Sequence, residues 1–192
     1  MTNNFEERLN QILPRLTSPE LLNNQGLGNE IGFWIFDYPP EHEIAMRAFL
    51  KDVIEPNLTR MKPTLRYASV NLFDFVIELI EERGLLDKAF AMQQAKGDDA
   101  LLHSLRPILK EDKLAPRLVD KTNVAELDLL ILHGVGAVYP LLRTHTLLSA
   151  LHPHMRKTPL LLLYPGVYDG MKMKLFNKLI DDNYYRAFSL VS

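Results

Sequence analysis

Three short runs, apolar at nearly every position, set the limits on what this chain can fold into. They are Phe33-Trp34-Ile35-Phe36, Leu127 to Leu132 and Leu160-Leu161-Leu162-Leu163-Tyr164. A half-exposed strand alternates apolar and polar residues, whereas a strand apolar throughout must be covered on both faces, which is the condition of a parallel sheet packed between helices. The segments between the runs carry helical spacing, so strands and helices alternate along the chain. The expected fold is α/β, a single domain over residues 1–192. It has a mostly parallel sheet of about five strands with helices on both faces, Rossmann-like or P-loop-like without a Walker A motif.

Phe5, Leu9, Ile12, Leu13 and Leu16 predict an amphipathic helix over residues 4–16, followed by a loop at Gly26 and Gly28. The first strand ends at Asp37-Tyr38-Pro39-Pro40, where two prolines stop sheet pairing and open a helix with Ile44, Phe49, Val53 and Ile54 that ends near Pro56. Leu65 to Val70 is the second strand. Asn71 then caps a helix through Phe73, Val76, Ile77 and Ile80, with Gly84 as its stop. Helical stretches 85–96 and 98–115 break near Gly97. Beyond the third strand, at Leu127 to Leu132, a helix runs from near Pro140 to about Leu151. The fourth strand, ending at Tyr164, leads into a glycine-rich loop, a short helix around Lys174–Ile180 and a fifth strand from Tyr185 to Val191.

Apolar residues at 47% and charged residues at 24% exclude a mostly disordered chain. A net charge of −2 gives no global signal for nucleic acid or an anionic membrane. With no cysteine there is no disulfide framework, thiolate metal site or cysteine nucleophile. The 14 residues from Leu129 to Leu142 lack Asp, Glu, Lys and Arg but contain His, Gly and Pro. That is too short for a bilayer span of about 20 residues. The N-terminal residues lack the order of a signal peptide, so a cytoplasmic location is expected. Charge is uneven: residues 1–59 hold nine acids and four bases, and residues 154–178 hold Arg156, Lys157, Lys172, Lys174 and Lys178 against Asp169.

Ligands of open α/β sheets bind beyond the carboxyl ends of the strands. Those ends are Asp37-Tyr38-Pro39-Pro40, Asn71, His133-Gly134-Val135-Gly136 and Tyr164-Pro165-Gly166-Val167-Tyr168-Asp169-Gly170. Gly134-Val135-Gly136 has the place of a phosphate loop but lacks a third glycine and follows the third strand, so a tight turn is the simpler role. Arg143 near a helix start opposes the helix dipole, which points either to an anionic or protein ligand or to an ion pair with a loop acid. His145 has the spacing of a core histidine. His152 and His154 lie close together without a carboxylate cluster. Asp181 and Asp182 are adjacent and suit a turn better than paired acid–base work. The tyrosines at 164, 168, 184 and 185 either form a recognition surface or pack beneath the loops. No complete catalytic set is present.

Four runs, taken together and in order, resemble the BrxB family of BREX bacteriophage-exclusion systems. They are Phe36-Asp37-Tyr38-Pro39-Pro40, Gly134-Val135-Gly136-Ala137-Val138-Tyr139-Pro140-Leu141-Leu142-Arg143, Tyr164-Pro165-Gly166-Val167-Tyr168-Asp169-Gly170 and Asp182-Asn183-Tyr184-Tyr185-Arg186-Ala187-Phe188. The resemblance implies an antiviral role in an operon with a methyltransferase, a large ATPase and the alkaline-phosphatase-like PglZ. No reaction is assigned to the family, whose members are regarded as accessory components that associate with PglZ. The expectation is therefore a non-catalytic adaptor for PglZ, with the ATPase and methyltransferase as further candidate partners. No cofactor, no membrane and no direct DNA binding by the protein alone are expected. Arg143, Tyr168, Asp169, Tyr184, Tyr185 and Arg186 are the candidate functional edge. The alternative is a degenerate nucleotide-binding protein using Gly134-Val135-Gly136 and Arg143.

Overall fold

Alternation along the central strands sorts the apolar residues to two sides of one sheet. The computed structural model describes residues 3–24, 32–181 and 187–191. Its strands are β1 (Phe33–Tyr38), β2 (Tyr67–Asn71), β3 (Leu129–His133), β4 (Leu160–Tyr168), β5 (Met173–Leu175), β6 (Leu179–Asp181) and β7 (Phe188–Ser189). The main sheet runs β2-β3-β4-β1-β7 with every neighbouring pair parallel. This is neither the classic Rossmann nor the flavodoxin strand order. Among the described residues, helices are α1 (Asn3–Leu16), α2 (Pro19–Leu22), α3 (Glu43–Phe49), α4 (Glu55–Met61), α5 (Leu72–Glu82), α6 (Leu86–Lys96), α7 (Asp98–Leu105), α8 (Glu111–Thr122), α9 (Val135–Val138) and α10 (Thr144–Leu151).

One face of the sheet buries Trp34 and Phe36, Leu129 and Ile131, and Leu161 and Leu163 against Ile12 and Leu16 of α1, Met46 of α3 and Leu58 of α4. The opposite face buries Phe33 and Ile35, Leu130 and Leu132, and Leu160 and Leu162 against Val76 and Ile80 of α5, Leu118 of α8 and Leu148 of α10. The period of two in each strand thus feeds two separate apolar cores. That is the α/β arrangement the apolar runs predict.

Several boundaries differ from the sequence expectation. The helix after β1 continues past Pro56: a π-helical stretch at Leu50–Ile54 leads directly into α4, with the Glu55 N–H bonded to the Leu50 carbonyl, and this widened turn accommodates a proline that has no N–H to donate. The stretch expected as one helix over 98–115 is two, α7 and α8, parted near Pro107. The helix expected from Pro140 starts at Thr144, and the Tyr139–Pro140 peptide is cis.

The largest correction concerns β4. It runs to Tyr168, so Tyr164-Pro165-Gly166-Val167-Tyr168 is strand and not loop, and residues 173–181 form a hairpin where a short helix was expected. Pro165 contributes only its carbonyl, which accepts from the Phe176 N–H at 2.9 Å. The turn between β5 and β6 places Phe176 and Asn177 at φ +54 and +60, the left-handed region that ends a helix instead of propagating it. The Tyr168 N–H faces Asp37 on β1 while the Pro165 carbonyl faces Phe176. Hence β5 lies on the edge of β4 away from β1, the edge β3 leaves after Leu162. The last strand shrinks to Phe188–Ser189, and residues 185 and 186 of the expected strand lie outside the described residues.

Asp37 ties these parts together. Its carboxylate accepts Arg8 of α1 at 2.7 Å and the Tyr168 backbone N–H at 3.0 Å. The Tyr168 hydroxyl donates to the Ala187 carbonyl and accepts the Ala187 N–H, both at 2.9 Å. Replacing Asp37 by Ala strands a half-buried guanidinium and a backbone N–H, and should lower the unfolding free energy by about 2 kcal/mol. Tyr168→Phe should cost about 1–2 kcal/mol and raise amide exchange at residues 187–191. Urea titration of both variants measures this, and wild-type midpoints would refute the anchoring role.

Candidate functional site

Because the main strands are parallel, their carboxyl ends share one edge, and the described strand-end residues named from the sequence lie along it. Asp37 and Tyr38 close β1, Asn71 closes β2 and His133 closes β3, while β4 continues past them into the hairpin. The Tyr38 hydroxyl donates to Glu43 at 2.5 Å, and burial together with that carboxylate pushes the phenol well above its ordinary range. Glu43 also holds Arg47 at 2.7 Å. This corner is a closed internal network.

The Gly134-Val135-Gly136 segment is filled by neighbouring side chains. Gly134 stands at φ +77, and a Cβ there would lie 2.3 Å from the Asn71 Oδ1, which accepts the Phe73 N–H to cap α5. A Cβ on Gly136 would lie 2.8 Å from the Phe176 ring. Both glycines therefore admit a neighbour, and α9 behind them has four residues, one turn. Nothing in this geometry forms a phosphate cradle.

His133 ends β3 beside a recess of about 380 Å³ whose walls include Glu55, Asp74 and Glu78. Glu78 is paired with Lys121. Burial lowers the imidazole pKa from 6.5, against the opposing pull of Glu55. Among the described residues, the His133 Nδ1 and the Ser69 Oγ are buried without a hydrogen-bond partner.

The candidate edge residues divide sharply. Tyr168 is buried and bonded to Ala187, so it supports the fold and does not face a partner. Tyr164 is buried as well. Asp169 is exposed but its carboxylate accepts the N–H groups of Lys172 at 2.7 Å and Met171 at 2.9 Å, which hold its pKa below the ordinary value and close the β4–β5 turn. Tyr184, Tyr185 and Arg186 lie outside the described residues, as does Asp182.

Arg143 is the described candidate that faces outward. It occupies the N-cap of α10, with its backbone N–H donating to Glu111 at 3.3 Å. Its guanidinium makes no ion pair among the described residues, neither with Asp37 nor with Asp169. It stands over a depression of about 290 Å³ lined by Tyr139, Leu142, Leu175, Lys178, Leu179 and Ile180, with Tyr164 at the base. The expected short helix around Lys174–Ile180 hides this wall, which the β5–β6 hairpin forms instead; an apolar pair flanked by charges before a turn is the available signal.

The basic segment 154–178 does not form one patch. Arg156 and Lys157 precede β4, whereas Lys172, Lys174 and Lys178 follow it, and nine strand residues separate the groups by about 30 Å. His145 is buried, as its spacing predicts. No cluster of three or more metal-ligating side chains occurs among the described residues, His152 and His154 included. No helix is long and apolar enough to cross a membrane among the described residues.

Two outcomes follow from this edge. Since the unfolded chain binds the His133 proton more readily than the folded one, its contribution to stability is present above about pH 6.5 and declines as pH falls through the lower folded-state pKa. Urea midpoints between about pH 7.5 and 5 should show the decline, and His133→Gln should flatten it; equal slopes in both proteins would refute the assignment. Millimolar ATP or GTP should leave the melting temperature unchanged, because the glycine segment is filled; a rise graded with concentration would mean that the segment opens to phosphate.

The family model described as BREX protein BrxB matches residues 68–190. The "BREX protein BrxB" of Bacillus cereus (strain H3081.97) is 39% identical over 191 residues, covering 97% of each chain. The "BREX protein BrxB" of Escherichia coli O9:H4 (strain HS) is 39% identical over 187 residues, covering 97% of this chain and 92% of the relative. No solved structure matches. Matches of this length to a family model and to two relatives establish that the chain belongs to the BrxB family of BREX proteins.

Proposed function

We propose that this protein acts in BREX defence as a non-catalytic adaptor that binds PglZ, through the carboxyl edge of its sheet around Arg143. Membership of the BrxB family supports a role in BREX defence. One observation carries the choice of surface. Arg143 holds an exposed guanidinium at a helix N-terminus, where the dipole disfavours it, beside an apolar depression and with no ion pair among the described residues. A planar cation without an ion pair among the described residues suits a carboxylate from another chain.

The other polar groups of the edge are engaged in folding. Asp37 serves Arg8 and Tyr168, Tyr38 serves Glu43, and Asp169 serves its own turn. An edge whose acids and phenols are bonded internally supports binding over acid–base chemistry. The division of the basic segment between opposite ends of β4 supports a protein partner over DNA held by this chain alone.

Size-exclusion chromatography of the protein mixed with the PglZ of its own operon tests the reading. Co-elution is expected, and Arg143→Glu should weaken the complex by about tenfold at an unchanged melting temperature. Separate elution at concentrations on the order of 10 µM would overturn a stable binary complex.

A further inference from the structure

Register determines which hairpin side chains face outward. Val167 pairs with Lys174 and Lys174 with Ile180, so the three form one cross-strand row. Val167 is 46% and Ile180 61% exposed, and Lys174 is exposed between them. The adjoining row, Gly166–Leu175–Leu179, turns toward the depression beneath the hairpin. Met171 at the β4–β5 turn and Tyr139 across the depression are exposed as well. Five of the nine large apolar side chains exposed among the described residues therefore fall on this one corner, while Ile44, Met61, Phe73 and Phe90 lie on other elements. Single exposed apolar residues need no explanation; a contiguous group rimmed by charge marks an interaction surface.

The rim is cationic. Arg143, Lys172, Lys174 and Lys178 make no ion pair among the described residues, and the Asp169 carboxylate beside them is occupied by two backbone N–H groups. Arg143 and Lys178 line the depression, while Lys172 and Lys174 are exposed on the adjoining turn and outward face of the hairpin, a pattern that favours an occupant combining apolar and acidic groups. Resting on the partner-binding reading above, we propose that this corner docks a protein segment bearing an apolar anchor flanked by Asp or Glu. The anchor enters the depression between Leu179 and Tyr139, and the carboxylates meet Arg143 and Lys178, which line it. A phosphate backbone would use the cations but gain nothing from Val167, Ile180 and Met171, which is why the occupant is a protein. The depression, about 290 Å³, is of a size for one or two side chains.

The test uses the full chain and purified PglZ. Ile180→Asp and the double variant Lys174→Glu/Lys178→Glu should each weaken the complex by about tenfold or more, with wild-type melting temperatures because these positions are exposed. The double variant should also lose most of the salt dependence shown by the wild type. Arg156→Glu/Lys157→Glu, at the far end of β4, should bind as the wild type does. If the wild type binds PglZ and both hairpin variants bind within about twofold of it, the docking corner is wrong and the PglZ reading stands. If the wild type does not bind PglZ, that reading falls, and the same variants are mixed with each remaining BREX component. A component released by both hairpin variants upholds the corner; no bound component, or one held equally by the variants, overturns it. Displacement of the partner by a DNA oligonucleotide with the same lysine dependence would make the corner a phosphate site and overturn the proposal.

Discussion

The structure depends on a single strand whose backbone must be satisfied on both edges and whose side chains must be buried on both faces. β4 pairs with β1 along one edge, and with β3 and then β5 along the other. In its first four residues Leu160 and Leu162 enter one core while Leu161 and Leu163 enter the opposite one. The constraint is severe because a buried N–H or C=O without a partner costs about 1–3 kcal/mol. Where β3 ends, the chain does not expose β4 to water; it folds back as β5 and keeps the edge paired. The hairpin that bears the proposed docking corner is thus a consequence of continuing β4 beyond the sheet.

Much of this was legible in the sequence, and the failures have physical causes. The apolar runs revealed the parallel sheet because only double-sided burial tolerates such composition, and Asn71 revealed the start of α5 because its side chain replaces a missing helical acceptor. The extension of β4 was hidden by Pro165 and Gly166, which read as a loop. In the fold Pro165 gives up one ladder bond and keeps its carbonyl bonded to Phe176. Gly166 is demanded by the hairpin itself, since a Cβ there would lie 2.2 Å from the Lys174 carbonyl oxygen. Both breakers mark close backbone approach within a strand.

The candidate site was legible in position and less so in role. Strand ends were expected to converge, and they do. Hydrogen bonding then separated the residues: Tyr168 and Asp169 resemble recognition residues by type, yet each is engaged by partners contributed from the turn or from Ala187. Arg143 remained outward because its backbone, not its guanidinium, meets Glu111. Spacing along a chain cannot distinguish these cases, since the deciding partners are 19 residues from Tyr168 and 32 from Arg143.

The contacts of α1 set the order in which this fold can be completed. Arg15 donates to the Leu190 carbonyl across 175 positions and Arg8 to the Val191 carbonyl across 183, while Arg8 is also held by Asp37. Contacts between segments so distant in sequence form late, after the intervening chain has collapsed, because loop closure must be complete before they contribute. During synthesis, α1 can rest on β1 early but cannot acquire its final bonds until residues 190 and 191 have left the ribosome. Until then the sheet face beneath α1, with Trp34 and Phe36, is only partly sealed, and the nascent protein carries an adhesive surface that the finished one lacks.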